Sequence, residues 1–101
     1  MIVISGSARV LESAIDRAVQ AGSTMAATSR DEPGCIDYRF SIDIDDPLVV
    51  HLLEKWESDA ALTAHFGTAH FAAFSETLLD VIDGSAEFMR YEVSSAGPLF
   101  G

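Results

Sequence analysis

The chain reads as an α+β domain with element order β-α-β-β-α-β and an antiparallel sheet. Three observations predict it. Apolar residues alternate over 1–7, 35–44, 48–57 and 85–93, the period of strands. Apolar residues recur at i, i+3, i+4 over 10–30 and 69–82, the period of helices. Turn signals rich in Pro, Gly and Asp separate these stretches. A length of 101 residues fits one domain spanning the chain, with a small core that a partner subunit would help.

Taken in order, Met1–Ser7 is a strand with Ile2 and Ile4 on one face, loosened by Gly6. Val10–Arg30 is a helix whose stripe includes Leu11, Ala14, Ile15, Ala18, Val19, Met25 and Ala26, with Gly22 weakening it or admitting a close neighbour. Asp31-Glu32-Pro33-Gly34 stops the helix. Cys35–Ile44 sets Ile36, Tyr38, Phe40 and Ile42 on one face, and the Asp45-Asp46-Pro47 turn makes a hairpin with the next strand. That strand, Leu48–Glu57, is apolar on both faces: Val50, Leu52, Glu54 and Trp56 on one, Val49, His51, Leu53 and Lys55 on the other. One helical layer covers only one face, so the other calls for a second subunit. Ser58 caps a short helix over Asp59–Phe66, Gly67 breaks it, and Thr68 caps the helix Ala69–Ile82. Asp83-Gly84 is a turn, Ser85–Val93 a last strand, and 94–101 a tail whose Leu99 and Phe100 could dock on a partner. This order is the ferredoxin-like arrangement.

Composition excludes several functions. With 16 acids against 6 bases, the net charge of −10 disfavours nucleic acid and anionic membrane as partners. No basic, apolar leader opens the chain, and no apolar run reaches the roughly 20 residues of a membrane span. The single cysteine, Cys35, allows no internal disulfide, so a cytoplasmic location is expected.

The unusual side chains concentrate between Val49 and Ile82, which holds all three histidines, the only Trp and half of the six Phe. We therefore expect this stretch to wall a small-molecule pocket. Dinucleotide, phosphate-loop and HExxH motifs are missing, and nothing marks a Ser nucleophile. His51, His65, His70 and Glu54 are metal-ligand types. However, His51 and Glu54 face opposite ways on one strand, and His65 and His70 straddle a helix break, so neither metal nor cofactor is expected. His70, in the first turn of a helix, suits acid–base work, His65 less so, and His51 fits an interface. Trp56 offers a flat surface with one donor, against the plainer reading of core packing. Glu54 on an apolar face demands a partner, with Arg90 and Arg39 as the available cations, or a histidine or substrate hydroxyl to orient. The Tyr38 hydroxyl also needs one.

At this point the residues resemble a known family. E-P-G-C (Glu32–Cys35), the Tyr38 strand, Asp46-Pro47, Glu54-x-Trp56-x-Ser58, Ala64-His65 and His70-Phe71-x-x-Phe74 resemble the antibiotic biosynthesis monooxygenase domain family along essentially the whole chain. The resemblance implies a homodimeric α+β barrel of two face-to-face sheets. It also implies oxidation of a quinol or polyphenol by O₂ without flavin, haem or metal. On that reading Trp56 flanks the ring, His70 or His65 takes the phenolic proton, Tyr38 orients the substrate, and Glu54, Phe71 and Phe74 complete its binding. The haem-degrading branch uses an Asn, and this chain has none, which speaks against haem degradation. The alternatives are a non-catalytic dimeric binding domain, or an isomerase using the same pocket.

Overall fold

The computed structural model describes residues 1–101. Its elements are β1 (Ile2–Val10), α1 (Ile15–Arg30), β2 (Cys35–Ile42), β3 (Val49–Trp56), α2 (Asp59–Phe66), α3 (Ala69–Val81) and β4 (Ile82–Glu92). The strands form one antiparallel sheet in the order β2-β3-β1-β4, the ferredoxin-like α+β architecture the pattern predicts. No helix is long and apolar enough to cross a membrane.

Register decides which side chains meet the helices, because directly opposed residues share a face. Ile2 lies opposite Trp56, and Tyr38 lies opposite Glu54, which is itself opposite Ile4. Phe40 and Gly6 flank Leu52 in the next row. From this face Ile2, Tyr38, Leu52 and Trp56 join Met25 and Ala26 of α1 and Leu62 of α2 in one core. The other face is uncovered. Val3 lies opposite Tyr91, and Ser5 lies between Leu53 and Met89, so an apolar band crosses β3, β1 and β4. Met89 is 58% and Tyr91 50% exposed there. His51 shares this face and bonds Asp43 through Nε2, at 2.7 Å from Oδ2.

The three boundaries that differ most from expectation do so for packing reasons. β1 continues past Ser7 to Val10, because Ala8 and Val10 keep the alternation and are both buried. The Leu11 N–H then bonds the Val81 carbonyl, and a single 3-10 turn (Glu12–Ala14) delays the helix to Ile15. Gly6 does not loosen the strand, being paired with Leu52 on one side and Phe88 on the other. Nor is Asp83-Gly84 a connecting turn: α3 passes straight into β4 at Ile82, which pairs with Val10. The segment Asp83–Ser85 bulges opposite Arg9, with Gly84 at φ +88° where other residues are strained. A second shift between Cys35 and Asp37 turns Ile36 outward, so it leaves the predicted apolar face. Leu99 and Phe100 stand exposed on the tail.

Candidate functional site

A carboxylate bridging two imidazoles forms the most concentrated polar cluster in the molecule. It is built by a turn and two caps. After α1 the Glu32 N–H bonds the Ser29 carbonyl, and Gly34 at φ +84° folds the turn onto α2. A Cβ at Gly34 would lie 2.6 Å from the Ala61 Cβ, so only glycine permits this approach. The Ser58 hydroxyl accepts from the Ala61 N–H and starts α2. Thr68 accepts from the Phe71 N–H, starting α3, and its own hydroxyl donates to the His65 carbonyl. The break at Gly67 thus sets His65, in the last turn of α2, beside His70, in the first turn of α3. Glu32 Oε2 sits 2.6 Å from His65 Nδ1 and 2.8 Å from His70 Nε2. His65 is 1% exposed, Glu32 12% and His70 23%, so the cluster opens to solvent on the His70 side.

The cluster continues inward. The Trp56 Nε1–H donates to Glu54 Oε1 at 2.9 Å, and the same oxygen lies 3.9 Å from His65 Nε2. The cations expected beside Glu54 are elsewhere: Arg90 pairs with Asp59 and Glu92, and Arg39 with Asp37. The indole packs on the His65 ring at 4.7 Å between centroids, and Tyr38 stands edge-on to Trp56 at 6.4 Å. Burial first, then the neighbouring Glu54 carboxylate, raises the Tyr38 hydroxyl far above its ordinary range. Burial also pushes the Cys35 thiol up to about 11, which leaves it a poor nucleophile.

An apolar cavity lies at the other end of the same layer. It encloses about 330 Å³ between α1, α3 and the sheet, the size of a small-ligand site. Its walls include Val10, Ala18, Phe40, Leu52, Phe74 and Phe88, and its one charged lining residue is Arg30. Arg30 closes α1 and is held by its Nε–H, which donates to the Tyr38 carbonyl at 2.9 Å. Gly22 has the close neighbour its position suggested: a Cβ there would come within 3.3 Å of Phe40.

Of the residues expected at the pocket, only Phe74 lines this cavity. Trp56, Tyr38, Glu54, His65, His70 and Phe71 gather instead behind Phe40 and Phe74, whose rings stand 5.4 Å apart. The reason is steric. Rings and Leu62 fill the Trp56 end of the layer, whereas Ala18, Gly22 and Ala26 of α1 leave the opposite end hollow. Two residues were missed in the sequence, Glu32 and Arg30. Glu32 was read as part of a helix stop and of the E-P-G-C motif but given no role at the site, and Arg30 was read as the last residue of a helix. The i+4 row of small residues on α1 was the available signal for the hollow.

Burial pushes the Glu54 carboxyl from 4.5 up to about 6, with the Trp56 N–H offsetting part of the shift. The folded chain therefore binds this proton more tightly than the unfolded chain. The contribution of this group to stability is largest below about 4.5, is lost as pH rises through about 6, and stays absent above it. Glu54→Gln keeps an acceptor for Trp56 and removes the charge. In chelator-treated protein it should stabilise the fold at pH 7.5 by about 2 kcal/mol and flatten this step. Urea unfolding of both proteins at pH 4.5 and 7.5 checks it.

Comparison with known proteins agrees with this fold. The family model for antibiotic biosynthesis monooxygenases matches residues 1–77. The Synechocystis protein sll1783, itself uncharacterised, is 32% identical over 97% of this chain and 67% of its own length. YcnE of Bacillus subtilis, named as a candidate monooxygenase, is 26% identical over 93% of this chain and 99% of its own. A Deinococcus radiodurans structure, described as a candidate antibiotic biosynthesis monooxygenase, superposes with a TM-score of 0.90 at 22% identity over 100% of both chains. The chain belongs to the antibiotic biosynthesis monooxygenase family.

Proposed function

We propose that this chain is a cofactor-independent monooxygenase for a compact phenol or quinol, working as a cytoplasmic homodimer. The observation that carries this is the apolar cavity of about 330 Å³ with a single cation, Arg30, on its lining. Phe40, Phe74 and Phe88 suit a flat ring, and Arg30 favours its phenolate over the phenol. The electron-rich anion gives an electron to O₂, and the radical pair combines at a ring carbon to form a hydroperoxide. Loss of water then yields the carbonyl, so a quinol and O₂ become a hydroxyquinone and one water. The substrate supplies all the electrons. The walls exclude bulk water, and Arg30 offsets the developing oxygen charge. No histidine lines the cavity, so the phenolic proton leaves through solvent at the mouth. Trp56, Tyr38, Glu54, His65, His70 and Phe71 brace the aromatic wall from behind.

Oxygen uptake by chelator-treated protein with a panel of hydroquinones and naphthols tests the reading. Uptake should form one quinone per O₂, and Arg30→Ala should lower kcat/KM by roughly 100-fold. Tight binding without uptake would instead identify a binding domain. Uptake abolished by His70→Ala but not by Arg30→Ala would assign the base to the histidine cluster.

The uncovered sheet face supports the homodimer. A band of Val3, Leu53, Met89 and Tyr91 suits a second copy of itself. Sedimentation of the wild type should give a dimer, and Leu53→Asp a monomer at micromolar concentration.

A further inference from the structure

We infer that Glu32, His65 and His70 form a binding site for one borderline divalent transition metal, of which Zn²⁺ and Co²⁺ are the probes. Two imidazoles and a carboxylate, carried by three separate segments, present Nδ1, Nε2 and Oε2 within 4.8 Å of one another. This donor set suits such ions. Glu32 Oε2 now accepts from both rings, at 2.6 and 2.8 Å. An ion with bonds of about 2.0–2.1 Å takes the place of those two protons, moving Oε2 away from both rings and drawing the two ring nitrogens toward each other. His70, the most exposed ligand, provides the entry path and leaves room for a water.

Two further observations point to a cation. Glu32 and Glu54 are both largely buried, and neither pairs with any Lys or Arg. Positive charge reaches this pair only from the histidines or from an ion. The second observation is the position of His65 Nε2, 3.9 Å from Glu54 Oε1. In the tautomer that gives its Nδ1–H to Glu32, this nitrogen faces the carboxylate as an acceptor. A metal on Nδ1 moves the proton to Nε2, which then points at the Glu54 carboxylate. Glu54 is already held in place by the Trp56 N–H. That is the outer carboxylate a metal-ligating histidine ordinarily has, and it gives the buried Glu54 a purpose.

None of the three ligands lines the cavity. The metal therefore ties the Glu32 turn to α2 and α3 and does not touch a substrate held there. The site stands apart from the oxygenase reading, and chelation removes the metal without abolishing oxygen uptake.

The test is titration of chelator-stripped full-length protein with Zn²⁺ and Co²⁺. One ion should bind per chain, raising Tm by at least about 4 °C. The Co²⁺ form should show paramagnetically shifted ring resonances from two histidines. Glu32→Gln and His70→Ala should each lose the Tm shift, and Glu76→Gln, an exposed control on α3, should keep it. Binding below one ion per chain, a single shifted imidazole, or loss in Glu76→Gln would overturn the assignment. Where either ligand variant fails to fold, the number of shifted imidazoles in the wild type decides.

Discussion

Trp56→Ala should destabilise the domain by about 4 kcal/mol, a large share of the roughly 5–15 kcal/mol that a domain this size has in total. The side chain is fully inaccessible and belongs to the hydrophobic core. Its loss leaves a void between Ile2, Leu62 and the His65 ring, which the rigid sheet cannot collapse to fill. It also strands Glu54 Oε1, whose 2.9 Å bond to the indole is its one hydrogen bond at normal distance. Trp56→Phe separates the two effects. It refills most of the volume but supplies no donor, so it should cost about 1–3 kcal/mol. Urea denaturation of the three proteins at pH 7.5 checks the order. Equal stability of Trp56→Phe and the wild type would show that Glu54 does not depend on the indole.

Much of this arrangement was legible because it is local. Period-two alternation put Glu54 and Trp56 on one strand face, and the Nε1–Oε1 bond joins them there. The two-sided character of β3 was visible in Val49 and Leu53, which stand half-buried opposite the core face. Ser58 and Thr68 announced their helices by residue type alone, and both accept the predicted capping bonds. The cluster around Glu32 was not legible for the same physical reason in reverse. Glu32 and His65 lie 33 residues apart, and they meet only because Gly34 lets a turn lie against Ala61. Separation along the chain made His65 and His70 look divided by a helix break, yet a break of that kind is what aims two rings at one carboxylate. The position of the hollow depended on volume, which periodicity does not report. Of the rings read as pocket walls, Phe74 does line the space, while Trp56, Tyr38 and Phe71 pack away from it, and the hollow opens where the α1 side chains are small.

Filling that space should abolish turnover while sparing the fold. Ala18 sits on α1 with its side chain on the cavity wall, across from Phe40 and Leu52. In Ala18→Trp the indole enters the hollow rather than the close-packed core. Strain should stay at or below the roughly 1–3 kcal/mol of an overpacked core, and the added apolar burial offsets part of it. The ring site, however, is occupied. Oxygen uptake with hydroquinones should fall at least about 100-fold, the scale of a lost productive pose, with Tm within a few degrees of the wild type. The opposite change, Leu78→Ala on α3, widens the same cavity and should shift preference from single-ring quinols toward naphthols. The two variants together separate the cavity from the histidine cluster, since both residues line the cavity and Glu32, His65 and His70 do not. Full activity in Ala18→Trp would place the reaction outside the cavity, and the assignment of Arg30 would fall with it.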